Sequence, residues 1–143
     1  MRFMMLVIPK GYEKAPPGTV PDDPRLVARM MEYNESLRKA GVLVALDGLH
    51  PPSMGARVSF PGGKATVHDG PFTEAKEVVG GYWIIDVDSL QDAIAWASRC
   101  PMCDDELIEI RRVMELSDFP ADVQEVARAY PDMQEHHRAL PRT

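Results

Sequence analysis

The segment of residues 69–82 holds the densest group of side chains that could do chemistry in this chain. It has the sequence DGPFTEAKEVVGGY, in which a short stretch carrying four charged side chains precedes an apolar one. Carboxylates and an ammonium group in a tight connection between two buried strands can meet at the mouth of a cavity. Such a group suits acid–base chemistry on a small molecule.

Asp69 is the first candidate catalytic residue. Alternation along the preceding strand places it on the same face as Val67, which we expect to line a cavity. Burial disfavours the charged form of a carboxylate unless it is paired, so we expect Asp69 to contact Lys76, a backbone amide of the turn, or both. The alternative is structural, because Asp-Gly is a common turn dipeptide and charged loop residues are usually solvated.

His50 is the second candidate catalytic residue, because an imidazole can gain or lose a proton near neutral pH. It follows an apolar stretch and precedes Pro51-Pro52. Strand ends from distant parts of the chain can converge at one edge of a sheet, so His50 can face Asp69. In the alternative, His50 is simply exposed in a proline-rich turn. His68 precedes Asp69 and is expected to point to the opposite face.

Two basic side chains are candidates for holding an anionic substrate. Arg111 alternates with Glu109 on the last predicted strand and can bind a carboxylate through two parallel hydrogen bonds. The competing interpretation is an ion pair of Arg111 with Glu109 or Asp86. Lys76 can hold an anion from the polar stretch after Asp69.

Cys100 and Cys103 are the two cysteines of the chain. A redox pair should begin a helix after a strand, whereas this pair follows a predicted helix. A structural zinc site needs two more ligands, for which the tail offers His136 and His137. The glycine pairs of the chain lack the spacing of a phosphate-binding loop. We therefore expect free thiols, no metal and no cofactor.

Composition and charge exclude several classes of protein. The 143 residues are 45% hydrophobic and 27% charged, as in an average soluble globular domain. The net charge is −6 and the basic residues are not clustered, so nucleic acid is not an expected partner. No apolar run approaches the roughly 18 residues that cross a bilayer, so no membrane association is expected. Two cysteines are too few for a secreted disulfide scaffold, which favours the cytoplasm.

The hydrophobic pattern predicts the elements that position these residues. A helix is expected over residues 24–40, with Asp23 as its N-cap and Gly41 after its end. A second helix is expected after an N-cap at Asp88, with Gln91 as the capping-box partner. Strands are predicted at residues 2–8, 42–46, 57–60, 64–68, 81–87 and 107–114.

Without the hairpin of the third and fourth strands, the order is βαβ followed by βαβ. This order predicts an α+β, ferredoxin-like βαββαβ sandwich with an inserted β-hairpin and two helices on one face of an antiparallel sheet. Phe3, Trp83 and Ile85 are expected on the other face, where a second copy would cover them and enclose a cavity. We therefore expect a homodimer, in which residues 1–116 form the domain and residues 117–143 a helical C-terminal extension.

The segment of residues 69–82 resembles the signature of the DGPF branch of the YCII-related family, and the resemblance extends over about residues 1–115. Two features depart from the family pattern: Arg112 replaces a frequent proline, and Cys100-Pro101-Met102-Cys103 precedes the last strand. The residues that carry the resemblance are Asp69-Gly70-Pro71-Phe72, Glu74, Lys76, Glu77, Gly80-Gly81-Tyr82, Gly41-Val42-Leu43, Gly48-Leu49, Pro51-Pro52, Ile85-Asp86-Val87, Glu109, Arg111 and Val113-Met114-Glu115.

The resemblance implies a ferredoxin-like fold that dimerises as an α/β barrel, in agreement with the pattern of elements. It implies less about function, because most members have no established activity. The wider superfamily includes isomerases, lyases and monooxygenase-like enzymes, and some YCII relatives use a His–Asp pair. Genes of the DGPF branch often lie beside those of extracytoplasmic-function sigma factors, which implies a regulatory or stress role.

Two functions stay open. In the first, the protein binds a small organic molecule in the cavity between the sheets and acts as an acid–base enzyme of the lyase or isomerase type. In the second, it is a non-catalytic binding or regulatory module associated with an extracytoplasmic-function sigma factor. The candidate catalytic residues are Asp69 and His50, and the candidate substrate-binding residues are Lys76, Arg111, Glu74 and Tyr82.

Overall fold

The computed structural model describes residues 1–136 of the chain. Its strands are β1 (Arg2–Ile8), β2 (Leu43–Gly48), β3 (Ala56–Ser59), β4 (Thr66–Asp69), β5 (Gly81–Asp86) and β6 (Leu107–Arg112). Its helices are α1 (Pro24–Lys39), α2 (Leu90–Ser98), α3 (Ala121–Arg128) and α4 (Pro131–His136). No helix within residues 1–136 is long and apolar enough to cross a bilayer.

Helix α1 has the caps that the sequence predicts. The Asp23 carboxylate accepts a hydrogen bond of 2.9 Å from the backbone amide of Arg25, and Pro24 occupies the first turn, where its missing N–H is not needed. Gly41 follows the helix with a φ of 73°, a conformation that a residue with a Cβ rarely adopts. Tyr33 and Leu37 are the buried residues of the helix.

Helix α2 begins one residue later than an Asp88 cap would place it. Ser89 is the N-cap, and its hydroxyl accepts a hydrogen bond of 3.1 Å from the amide of Asp92. The prediction of Asp88 with Gln91 is therefore wrong by one position. Ser89 has extended backbone angles, so it lies just outside the helix. Its hydroxyl can therefore reach the free backbone amide of Asp92, three residues further along.

The main sheet has four antiparallel strands in the order β2-β5-β1-β6. Helix α1 connects β1 to β2, and α2 connects β5 to β6. The chain is thus an α+β protein whose architecture is consistent with a ferredoxin-like fold. Strands β3 and β4, called the hairpin below, form a separate two-stranded antiparallel sheet between β2 and β5.

The helix-covered face of the main sheet contains the core. Phe3, Trp83 and Ile85 are buried there together with Tyr33 and Leu37 of α1. The prediction that the first three lie on the uncovered face is therefore wrong. Burial of these large side chains against the helices is a main source of the stability of the domain.

Packing of Trp83 against α1 decides which face of β5 points inward. Its indole lies edge-on to the Tyr33 ring, with centroids 5.6 Å apart and planes at 88°. Its Nε1 donates a hydrogen bond of 2.8 Å to Asn34 Oδ1. The run Trp83-Ile84-Ile85 is apolar at every position, so alternation alone could not distinguish the two faces of this strand.

The other face of the main sheet, called the open face below, carries the residues that alternate with the core positions. None of them belongs to the buried core. Met4, Leu6, Ile8 and Ile84 of the two central strands give it an apolar middle. The residues of this face are Arg2, Met4, Leu6, Ile8, Ala45, Asp47, Tyr82, Ile84, Asp86, Leu107, Glu109 and Arg111.

Charged contacts fix the end of the domain and the start of the C-terminal extension to the main sheet. The Arg2 guanidinium donates to both oxygens of Glu115, at 2.8 and 3.2 Å, and Arg112 donates to Asp118 at 3.3 Å. Helix α3 ends at Arg128, and Pro131 begins the separate helix α4. Residues 137–143 of the predicted extension lie outside the described residues.

Candidate functional site

The DGPF turn is packed against the proline-rich segment that follows β2. A Cβ on Gly70 would lie 1.6 Å from the carbonyl oxygen of Pro52, so no side chain fits at this position. The Gly70 amide also donates a hydrogen bond of 2.9 Å to the Gly55 carbonyl. The turn that begins at Asp69 and the segment that begins at His50 are thereby held together.

A cation–π contact fixes the turn to the hairpin. The Arg57 guanidinium carbon of β3 lies 4.0 Å from the centroid of the Phe72 ring. Gly70 and Phe72 of the signature therefore have structural roles.

The glycine pair Gly80-Gly81 at the start of β5 has a structural role as well. A Cβ on Gly80 would lie 2.5 Å from the Pro9 ring, and one on Gly81 would lie 2.9 Å from the Asp47 carbonyl oxygen. Gly80 also donates a backbone hydrogen bond of 2.8 Å to Val7 and accepts one of 2.9 Å from Leu49. These contacts place the start of β5 between the ends of β1 and β2.

Asp69 and His50 lie on adjoining segments and both side chains are exposed. The Asp69 carboxylate forms no hydrogen bond or ion pair within residues 1–136. The expected contact with Lys76 or a turn amide is therefore not formed in the single chain. The Gly70 amide, which follows Asp69 directly, donates to the Gly55 carbonyl instead.

The three predicted charged ligands of a substrate are also exposed. Glu74 and Lys76 lie in the connection between β4 and β5, and Arg111 lies on the open face. Arg111 makes no ion pair with Glu109 or Asp86 in the described part of the chain. The ion pair that was the alternative role of Arg111 is thus not formed in the single chain. Its guanidinium can therefore bind an external anion.

Tyr82, the remaining predicted ligand, forms a pair with Asp47. Its hydroxyl donates a hydrogen bond of 2.8 Å to Asp47 Oδ2. This hydrogen bond favours the protonated phenol and so raises the pKa of Tyr82. Sequence reasoning missed Asp47, because only the pairing of β2 with β5 brings it opposite Tyr82. Tyr82 is therefore held as a hydrogen-bonding group at the polar edge of the open face.

The strand register arranges the open face in rows. One row runs Asp47, Tyr82, Leu6, Glu109, and the next runs Ala45, Ile84, Met4, Arg111. Four strands span about 14 Å at the usual strand spacing. Polar groups therefore flank an apolar floor whose width suits a small organic molecule.

A second carboxylate near the proline-rich segment also escaped sequence reasoning. The Tyr12 hydroxyl donates to the Leu49 carbonyl at 2.5 Å, and the Ser53 hydroxyl donates to the Ala15 carbonyl at 2.9 Å. These bonds hold the turn containing Glu13 across the segment that contains His50. Glu13 Oε2 is buried and has no hydrogen-bond partner within the described residues. A polar residue in a loop gives no sequence signal for such burial.

The family model for the YCII-related domain matches residues 1–117. The chain belongs to the YCII-related domain family. An uncharacterized protein of Rhizobium meliloti (strain 1021) is 32% identical to it over 76 residues, which are 53% of this chain and 61% of the relative. The chain thus spans less than two thirds of the length of that relative.

In this YCII-related protein the two cysteines are free thiols with different surroundings. Cys100 is partly buried against the core, and burial raises the pKa of its thiol to about 12. Cys103 is exposed, and its backbone amide donates to Glu106 at 3.0 Å. His137 and the side chain of His136, weighed above as zinc ligands, lie outside the described residues.

A surface cleft of about 420 Å³ in this YCII-related protein lies away from the candidate residues. It is lined by Val42, Asp86, Trp96 and Arg99, among others, and the Arg99 guanidinium stacks 4.2 Å from the centroid of the Trp96 ring. The candidate residues instead occupy an open surface. A closed pocket around Asp69 would therefore need another surface to cover it.

Proposed function

We propose that the protein is a homodimeric member of the DGPF branch that performs acid–base chemistry, of the lyase or isomerase type, on a small organic molecule. The packing of Gly70 on the Pro52 carbonyl supports this most directly, because it holds the segments of Asp69 and His50 in contact. Two groups able to exchange protons are thereby attached to one rigid support. The free thiols fit the reducing cytoplasm that we propose as its location.

The proposed roles follow from the charge and position of each side chain. Asp69 acts as the base or orients His50, which then transfers the proton. Arg111 or Lys76 holds an anionic group of the substrate, since neither is paired with an acid within residues 1–136. Tyr82, oriented by Asp47, offers a hydrogen bond from the other side of the open face.

The chemistry of the open face indicates the class of substrate. Leu6, Met4 and Ile84 form an apolar floor between Tyr82 and Arg111. A small carboxylic acid with an aromatic or aliphatic body matches this arrangement, because its body can lie on the floor while its carboxylate meets the guanidinium.

The proposed dimer follows from the same surface. An apolar floor of this kind exposed to water is typical of an interaction site, and a second copy would cover both floors with one contact. The substrate would then lie between the two sheets, screened from water. Screening strengthens the electrostatic interactions on which proton transfer depends.

A thermal-shift screen of small aromatic and aliphatic carboxylic acids tests this function, because a ligand that binds the folded state raises its melting temperature. We expect at least one acid to bind, and Asp69→Asn or His50→Gln to weaken that binding or its turnover by at least roughly tenfold. His68→Gln, on the opposite face of the hairpin, and Glu32→Gln, on α1, are the matched controls. Unchanged binding and turnover in both site variants would refute the proposal.

The regulatory function is the second candidate, and the extension supports it. Exposed apolar side chains lie on and beside α3 and α4: Phe119, Val123, Val126, Tyr130 and Met133. Exposed apolar side chains that lie close together commonly bind another protein. Binding of a purified extracytoplasmic-function sigma factor, lost in Val126→Asp but kept in Glu125→Gln, would establish this role. Equal binding by both variants, or no binding by the unaltered protein, would exclude this surface.

A further inference from the structure

The hairpin has an apolar face that nothing covers within residues 1–136. Val58 and Val67 face each other across the two strands and are 51% and 64% exposed, and Phe60, directly after β3, is 67% exposed. Alternation places all three on one face. An isolated two-stranded hairpin is at best marginally stable in water, so this face requires a cover.

The opposite face of the hairpin is polar and has partners in its own chain. The Ser59 hydroxyl and His68 Nε2 are 3.2 Å apart, and the Arg57 guanidinium covers the Phe72 ring. One face of the hairpin is thus polar and the other apolar, and the apolar face suits contact with another apolar surface.

Asp69 belongs to the apolar face of the hairpin. It lies opposite Ala56 in the pairing of β3 with β4, in line with Val67 on the same strand. Its carboxylate has no partner in the described part of the chain. A surface that covers Val58 and Val67 would therefore also cover Asp69 and must supply a cation to compensate its charge.

The open face of the same chain has the matching properties. Its middle is apolar, and Arg111 on β6 has no acidic partner within residues 1–136. The hairpin is attached where β2 ends at Gly48, whereas Arg111 lies in a row three residues away, about 10 Å along the strands. Arg111 also lies on β6, the edge strand opposite β2, so the two groups lie at opposite corners of the sheet. A two-fold axis parallel to the sheets and perpendicular to the line that joins these corners would place the hairpin corner of one sheet over the Arg111 corner of the other.

We propose that the hairpin of each subunit packs its apolar face on the open face of a second copy, so that Asp69 of one subunit pairs with the partner's Arg111, whose remaining N–H donors still bind a substrate carboxylate. Each candidate site is then composite and incomplete in the single chain. This inference rests on the dimer of the proposed function and adds which segment crosses between the subunits.

A pair of charge reversals tests the crossing. Asp69→Arg and Arg111→Asp each place like charges at both contacts of a homodimer, so each should weaken dimerisation at least roughly tenfold in sedimentation velocity. Mixing the two variants should restore a dimer, because both contacts of the mixed dimer again join opposite charges. Thr66→Arg, on the polar face of the hairpin, is the control and should leave dimerisation unchanged.

Native mass spectrometry of the mixture gives the decisive reading. We expect clearly more mixed dimer than the roughly one half that random pairing produces, and circular dichroism confirms that each variant is folded. Random pairing, or a wild-type dimer that neither reversal weakens, would overturn the crossing and leave the proposed dimer intact. A wild-type monomer at micromolar concentration would overturn both.

Discussion

A Cβ on Gly70 would lie 1.6 Å from the Pro52 carbonyl oxygen, and this contact joins the DGPF turn to the segment that follows β2. The glycine at this position of the signature is therefore explained by packing rather than by chemistry. The contact also fixes the relative position of the two backbone segments that carry Asp69 and His50. Any joint role of these two residues therefore depends on it.

Gly70→Ala should destabilise the protein by at least about 2 kcal/mol, because the methyl group collides with backbone atoms that cannot move aside easily. Gly55→Ala is the matched control, since a Cβ there would lie at an ordinary 3.7 Å from the Pro52 carbonyl oxygen. The free energy of unfolding from urea titration measures both. Equal effects of the two substitutions would contradict the packing role of Gly70.

Ile84 and Ile85 are neighbours on β5 that point to opposite faces. Ile85 is fully buried in the core, so Ile85→Ala should cost about 2–5 kcal/mol. Ile84→Ala removes a side chain of the open face and should cost clearly less in the single chain. Denaturant titration at low protein concentration distinguishes them, and the reverse order would contradict the assignment of the two faces.

Tyr82 should titrate above an ordinary tyrosine, because its hydrogen bond to Asp47 raises the pKa of the phenol. The bond therefore contributes stability at neutral pH that is lost as the pH rises through the raised pKa of Tyr82. The difference in absorbance near 295 nm between the wild type and Tyr82→Phe isolates this titration. Asp47→Asn should lower the pKa of Tyr82, and an unchanged titration in that variant would count against the pair.

The two thiols should react at different rates with a thiol-specific reagent at about pH 8. Burial raises the pKa of Cys100 to about 12, so little of its reactive thiolate form exists, whereas Cys103 is exposed. We expect one fast thiol per folded chain, which Cys103→Ser removes and Cys100→Ser does not. Two fast thiols, or about one zinc per chain lost in Cys103→Ser, would show that this assignment is wrong.

Asp69→Asn should leave the free energy of unfolding of the single chain within about 0.5 kcal/mol of the wild type, because the carboxylate has no partner there. Had Asp69 capped the turn, its loss would cost roughly 1 kcal/mol. Urea titration at low protein concentration measures this, with Asp23→Asn as a reference at a true helix cap. A loss as large as that of a cap would return Asp69 to a structural role.

The sequence by itself determined the local elements and the family. Asp23, Pro24 and Gly41 act within a few residues of themselves, so the bounds of α1 follow from short-range chemistry. The order of strands and helices likewise limits the topology to the observed α+β arrangement. The signature around Asp69 identified the family because it is long and specific.

Only the tertiary structure decided which side of β5 is buried and what the signature residues touch. Trp83, Ile84 and Ile85 are all apolar, so their faces depend on the packing of Trp83 against Tyr33 and Asn34 in a distant helix. The partners of Gly70 and Tyr82 are also remote in the chain, at Pro52 and Asp47. Such contacts depend on how each strand is aligned with its neighbour. The sequence pattern locates the strands along the chain but does not give this register.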